Sequence, residues 1–140
     1  MQPLNVPGNL DSLSAIGHYV NEAAQAAALD KKTAYHLRLA VDEIATNIIV
    51  HGYQEAGLTG EVLVLSELDD AALKITLEDT SAPFDPRKLV RPDHIDKPIE
   101  ERPIGGLGIY LAMENVSKFD YEYVNNRNRN IFIVNRSPAA

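Results

Sequence analysis

The run GEVLVLSELDDAALKITLED, Gly60 to Asp79, constrains the fold more than any other part of the chain. Two strand-like segments, GEVLVLSEL and AALKITLED, meet at Asp69-Asp70. So short a connection permits only antiparallel neighbours, because a parallel pair needs a crossover of about a dozen residues or more. In the second segment Leu73, Ile75 and Leu77 point one way and Lys74, Thr76 and Glu78 the other, the alternation of a half-buried strand. Nearer the C-terminus, DYEYV and NIFIVN around NNRNR predict a closing hairpin of the same kind.

A sheet with one apolar face needs a covering layer. Leu13, Ile16, Val20 and Ala24 recur at helical spacing, with Asp11 or Ser12 as the predicted N-cap. Leu37, Val41, Ile44 and Ile48 form a second stripe, which Asp30 is placed to cap and Gly52 to end. GLGIYLAMENVSKF predicts a short third helix. The order is helix, helix, strand, strand, loop, helix, strand, strand. It predicts an α+β fold: a two-layer α/β sandwich with a mostly antiparallel mixed sheet and helices on one face. At 140 residues and 45% apolar content, one domain over 1–140 is expected.

Composition narrows function by exclusion. The chain has no cysteine, which removes thiolate metal sites and cysteine nucleophiles. Its 13 basic against 20 acidic residues give a charge of −7, against a direct nucleic-acid partner. The N-terminus lacks the charged and apolar regions of a signal peptide, and no apolar run is long enough to span a membrane. A cytoplasmic location without membrane association is expected.

DEIATNIIVHGY, within and beyond the second stripe, places Glu43, Asn47 and His51 four residues apart. On a wheel with Glu43 at zero, Asn47 falls at about 40° and His51 at about 80°, while the apolar stripe occupies roughly 100–160°. The polar line therefore borders the buried face. An amide oxygen there suits Mg²⁺, which uses one or two protein groups beside phosphates and water. A carboxylate one turn away could orient a hydroxyl for attack on phosphorus. Taken alone, the spacing is better explained by a surface-paired Glu and an Asn tolerated mid-helix, and His51 by contact with the last helix carbonyls.

Two other stretches carry chemistry. In LEDTSAPFDP, Asp79 ends a strand, where a carboxylate could accept from an exocyclic amine such as that of adenine. By itself it is more simply a turn residue, with Phe84 in the core. In IGGLGIYLA, Gly105, Gly106 and Gly108 precede a helical run, where bare backbone N–H groups can face phosphate. No Lys follows the glycines, so this is not a P-loop.

In this order the three stretches resemble the N, G1 and G2 boxes of the GHKL (Bergerat-fold) ATPases. AVDEIATNIIVHGY, PFDP and RPIGGLGIYLA are similar to the anti-sigma-factor serine/threonine kinases, from about Leu10 to the end of NIFIVNR. The resemblance implies an ATP pocket between helices and sheet, with Asn47 as nucleotide and Mg²⁺ ligand and Glu43 as general base. It implies that Asp79 reads the adenine amine. Gly105, Gly106, Leu107 and Gly108 would line the phosphate site, and a lid would run from about Arg87 to Gly105. It further implies a STAS-domain antagonist as the phosphorylated partner, a sigma factor as a regulated partner, and homodimers as a common assembly. Two positions depart from the pattern. Ser81 stands where a Gly usually follows the G1 aspartate, and Ser117 where relatives often carry Asp, at a place more structural than catalytic. The competing reading is a nucleotide-binding module that sequesters a partner without phosphorylating it.

Overall fold

The computed structural model describes residues 1–89 and 106–136. Strand β1 (Leu4–Pro7) opens the chain, followed by helices α1 (Leu13–Ala26) and α2 (Lys31–Asn47). The hairpin β2 (Glu61–Leu68) and β3 (Ala72–Asp79) comes next, then a 3-10 turn at Pro86–Leu89. Helix α3 (Gly106–Glu114) and the hairpin β4 (Lys118–Val124) and β5 (Arg127–Asn135) complete it.

The five strands form one sheet in the order β1-β2-β3-β5-β4. All four pairings are antiparallel. Leu73, Ile75 and Leu77 of β3, Val62 and Val64 of β2, and Phe132 and Val134 of β5 are buried in the core with Ile16 and Val20 of α1 and Leu37, Val41 and Ile44 of α2. Helix α2 packs against both α1 and α3 and reaches β5. The α+β sandwich is thus as expected, with β3 and β5 central. Asp79 on β3 faces Asn128 on β5, so the end of the central pair delivers both side chains to one place.

Four local readings change. Strand β1 was not legible: its segment LNVP is short and ends in a proline, which only an edge strand tolerates. Ser12 stands at the N-cap of α1 but makes no side-chain cap bond; its hydroxyl donates to Pro7 O at 2.7 Å and ties the helix entry to β1. Asp30 does cap α2, accepting from Thr33 N–H at 2.7 Å. Gly52 does not end the helical course, which widens into a π-helical turn over Ile48–Gln54. Tyr53 is buried at that turn, its hydroxyl donating to Glu61 O and accepting from Thr80 N–H. The closing turn is also tighter than NNRNR: Asn125 and Asn126, with φ 54° and 62°, make the two-residue turn. Asn128 and Asn130 therefore belong to a central strand.

Candidate functional site

A cavity of about 440 Å³ opens between the end of α2 with its π-turn and the ends of β3 and β5. Asn47, His51 and Gly52 line its helical side, and Asp79, Asn128 and Asn130 its sheet side. Ile44 and Ile48 supply apolar wall. Phe84, expected in the core, is instead 40% exposed and lines the same cavity.

Asp79 is the feature that defines the floor. Only 1% of it is exposed. Its Oδ1 accepts from Ser81 N–H at 3.0 Å, from the Ser81 hydroxyl and from Asn128 Nδ2 at 3.0 Å. Its Oδ2 is buried and has no hydrogen-bond partner among the described residues. A buried carboxylate oxygen without a donor costs about 1–3 kcal/mol or more, so this oxygen is left able to accept from a donor outside the chain. Asn130, which lines the same cavity, carries a second buried acceptor, Oδ1, without a partner among the described residues.

The turn after Asp79 is held from both sides. From below, Asn128 Nδ2 lies 3.1 Å from Ser81 O and 3.2 Å from Ala82 O, while its Oδ1 accepts from Phe84 N–H and the Tyr121 hydroxyl. From the helical side, the Tyr53 hydroxyl receives Thr80 N–H at 2.9 Å. The Tyr53 ring leaves no space at Gly60, where a Cβ would stand 2.7 Å from ring carbon Cε1.

Glu43 lies one turn before Asn47, and both are half-buried. Burial raises the Glu43 carboxyl above the ordinary carboxylate range, helped by the neighbouring charge of Asp42. It reaches the first turn of α3: a Cβ on Gly108 would meet Glu43 Cδ at 2.6 Å. The glycine there makes room for this carboxylate. His51 pairs with Glu55 rather than with helix carbonyls. Ser117 accepts from Asn135 N–H at 2.9 Å, a structural contact.

The structure thus brings Asn47 and Asp79 into one cavity and sets Glu43 against Gly108 in α3. Gly106 and Leu107 open that helix. Gly105, and the lid expected over most of 87–105, lie outside the described residues. At the root of that stretch Arg87 pairs with Asp85 at 2.8 Å and Asp120 at 3.1 Å. Asn128, Asn130 and Tyr53 were missed in the sequence. The available signal was the Asn-rich run before NIFIVN, which reads as turn until the register is known.

An α/β sandwich with a cavity of this build, between the polar edge of one helix and the end of the central strands, belongs to the nucleotide-binding folds. The histidine kinase-like ATPase domain model matches residues 6–133, and the chain belongs to that family. Serine-protein kinase RsbW of Bacillus cereus (strain ATCC 10987) is 37% identical over 78 residues, 54% of this chain and 48% of that protein. RsbW of Bacillus thuringiensis (strain Al Hakam) matches to the same extent. The match spans about half the length of these curated relatives. In fold, the chain resembles one from the SiaB–SiaC complex of Pseudomonas aeruginosa, with a TM-score of 0.63 at 14% identity over 96% of this chain and 89% of that one. It also resembles the nucleotide-free catalytic domain of histidine kinase ThkA, with a TM-score of 0.51 at 16% identity over 99% and 100%.

Proposed function

We propose that the chain is an ATP-dependent protein serine/threonine kinase of the anti-sigma type. Its substrate would be a hydroxyl on a small STAS-domain antagonist, and its regulated partner a sigma factor or comparable signalling protein. The observation that carries the nucleotide reading is Asp79 at the cavity wall, with a buried Oδ2 that has no partner among the described residues. Family membership and the similarity to serine-protein kinases support the rest.

In this reading Asp79 Oδ2 accepts from the adenine amine. Asn47 offers a neutral amide oxygen at the cavity rim, a donor type that fits Mg²⁺ shared with phosphates. The first turn of α3, with Gly106, Leu107 and Gly108, directs free N–H groups to phosphate. ATP with Mg²⁺ supplies an electrophilic γ-phosphorus and ADP as leaving group. Glu43 takes the proton of the acceptor hydroxyl while the hydroxyl oxygen bonds to that phosphorus and the bond from phosphorus to the bridging oxygen of ADP breaks. Its raised proton affinity suits that task.

The test is a single-turnover assay with saturating Mg-ATP and a STAS-domain protein from the same host, beside calorimetric titration of ATP. Glu43→Gln is expected to keep ATP binding and lose transfer by about 10²–10⁴-fold. Wild-type binding without transfer to any STAS protein would leave a sequestering module as the answer. No ATP binding by the wild type would end the reading altogether.

A further inference from the structure

The Asp79 carboxylate, which lines the cavity, has one oxygen fully engaged and the other, Oδ2, without a partner among the described residues. Ser81 N–H, the Ser81 hydroxyl and Asn128 Nδ2 all converge on Oδ1. Rotation of the carboxylate about its last bond would break these contacts. The amide of Asn128 is itself fixed, since Nδ2 faces only acceptors and Oδ1 faces Phe84 N–H and the Tyr121 hydroxyl. Asn128 is 2% and Ser81 6% exposed, so water does not compete for these bonds. Ser81 can stand here because residue 52 is glycine: a Cβ there would lie 2.8 Å from Ser81 Oγ.

We propose that Ser81 and Asn128 are positioning residues that lock the Asp79 carboxylate and thereby set the choice between 6-amino and 6-oxo purines. The inference rests on the nucleotide reading above and deepens it. A lone acceptor at the cavity wall attracts the amine of adenine and repels the carbonyl oxygen of a 6-oxo purine. That repulsion discriminates only while the carboxylate cannot turn aside. In this chain the serine at the usual glycine position therefore strengthens base selection instead of impairing it.

The lock has a second consequence. In Asp79→Asn the three donors would hold the amide oxygen at the Oδ1 position. The NH₂ would then take the Oδ2 position, a donor suited to a 6-oxo purine. The preference is expected to turn over, not merely to weaken.

Calorimetry with ADP and inosine diphosphate tests this on wild type, Ser81→Ala, Asn128→Ala, Asp79→Asn and the double variant Asp79→Asn/Asn128→Ala. The readout is the ratio of the two dissociation constants, which a purely structural role would not move. The wild type is expected to prefer ADP by at least about 100-fold, and each single positioning variant to lose about tenfold of that ratio. Asp79→Asn is expected to favour inosine diphosphate, and the double variant to favour neither. Thermal melts identify any variant that fails to fold; Ser81→Ala, which removes one hydroxyl, then carries the test. If Ser81→Ala, or any folded positioning variant, keeps the wild-type ratio, the positioning role falls while the nucleotide reading stands. A wild type that binds neither nucleotide overturns both.

Discussion

Glu43 combines two constraints that oppose each other. In its proposed role as a base it would have to lose its proton, yet burial favours the protonated form. With its folded-state affinity for protons raised, the folded chain holds more protons than the unfolded one above the ordinary Glu range. Stability from this group is therefore full below the unfolded value and declines as pH rises through the raised one. Glu43→Gln is expected to flatten that decline in urea melts taken across mildly acidic pH. In the wild type the transfer rate should rise through the same raised value, so its acid limb lies above that of an ordinary Glu. Gly108 is the counterpart residue. An exposed helical Gly→Ala change normally gains about 0.5–1 kcal/mol. Here the new methyl meets the end of a flexible carboxylate, so Gly108→Ala should change stability little while displacing Glu43. Its expected signature is retained ADP binding with transfer lowered at least about tenfold, a split that parallel titration and single-turnover assays resolve.

At the scale of elements, two helix ends carry the stress. Helix α1 ends at Ala26, and just past its cap Ala28, with φ of 57°, is an L-residue in the left-handed region. Leu29 N–H bonds to Ala24 O at 3.1 Å, and Arg136 Nε bonds to Ala27 O at 3.0 Å, so the end is held despite the strain. Glycine adopts this conformation freely, and Ala28→Gly is expected to stabilise the chain by about 1 kcal/mol in denaturant melts. An unchanged or lower midpoint would show that no strain is stored there. The π-turn at Ile48–Gln54 is the other end. It brings Tyr53 under the β1–β2 entry and onto the first residue after β3. Tyr53→Phe would leave Thr80 N–H without its partner, at an expected cost of about 1–3 kcal/mol. A variant as stable as wild type would mean that the hydroxyl does not hold this turn.

Across the whole molecule, helices and sheet share one core, from Ile16 on α1 through Ile44 on α2 to Phe132 on β5. A single cooperative transition is therefore expected by calorimetry. A ligand at 100 times its dissociation constant adds about 2.7 kcal/mol, enough to raise Tm by roughly 10 °C in a chain of this size. Mg-ATP should produce that rise in wild type and Asp79→Asn should lose most of it. Two resolved transitions in the wild type would contradict a shared core.

Much of this architecture follows from local pattern. The alternation of Leu73, Ile75 and Leu77 and the two-residue Asp69-Asp70 link specify an antiparallel hairpin, and the period of Leu37, Val41 and Ile44 specifies the helix that covers it. Glu43 and Asn47 share an edge through helical geometry alone. Asp79 was legible as a strand end, but not that one oxygen is saturated and the other without a partner among the described residues. That depends on β5 register, which sets Asn128 opposite Asp79 across a sequence distance of 49 residues. Nor could local pattern foresee β1, whose four residues form a strand only because the edge of β2 is there to pair with. The same holds for Gly108, whose reason is a carboxylate from another helix. Periodicity along the chain determined which elements form and which face of each is buried. The site was decided by register and packing between elements, because a hydrogen bond or a steric limit between distant residues exists only once the chain has brought them together.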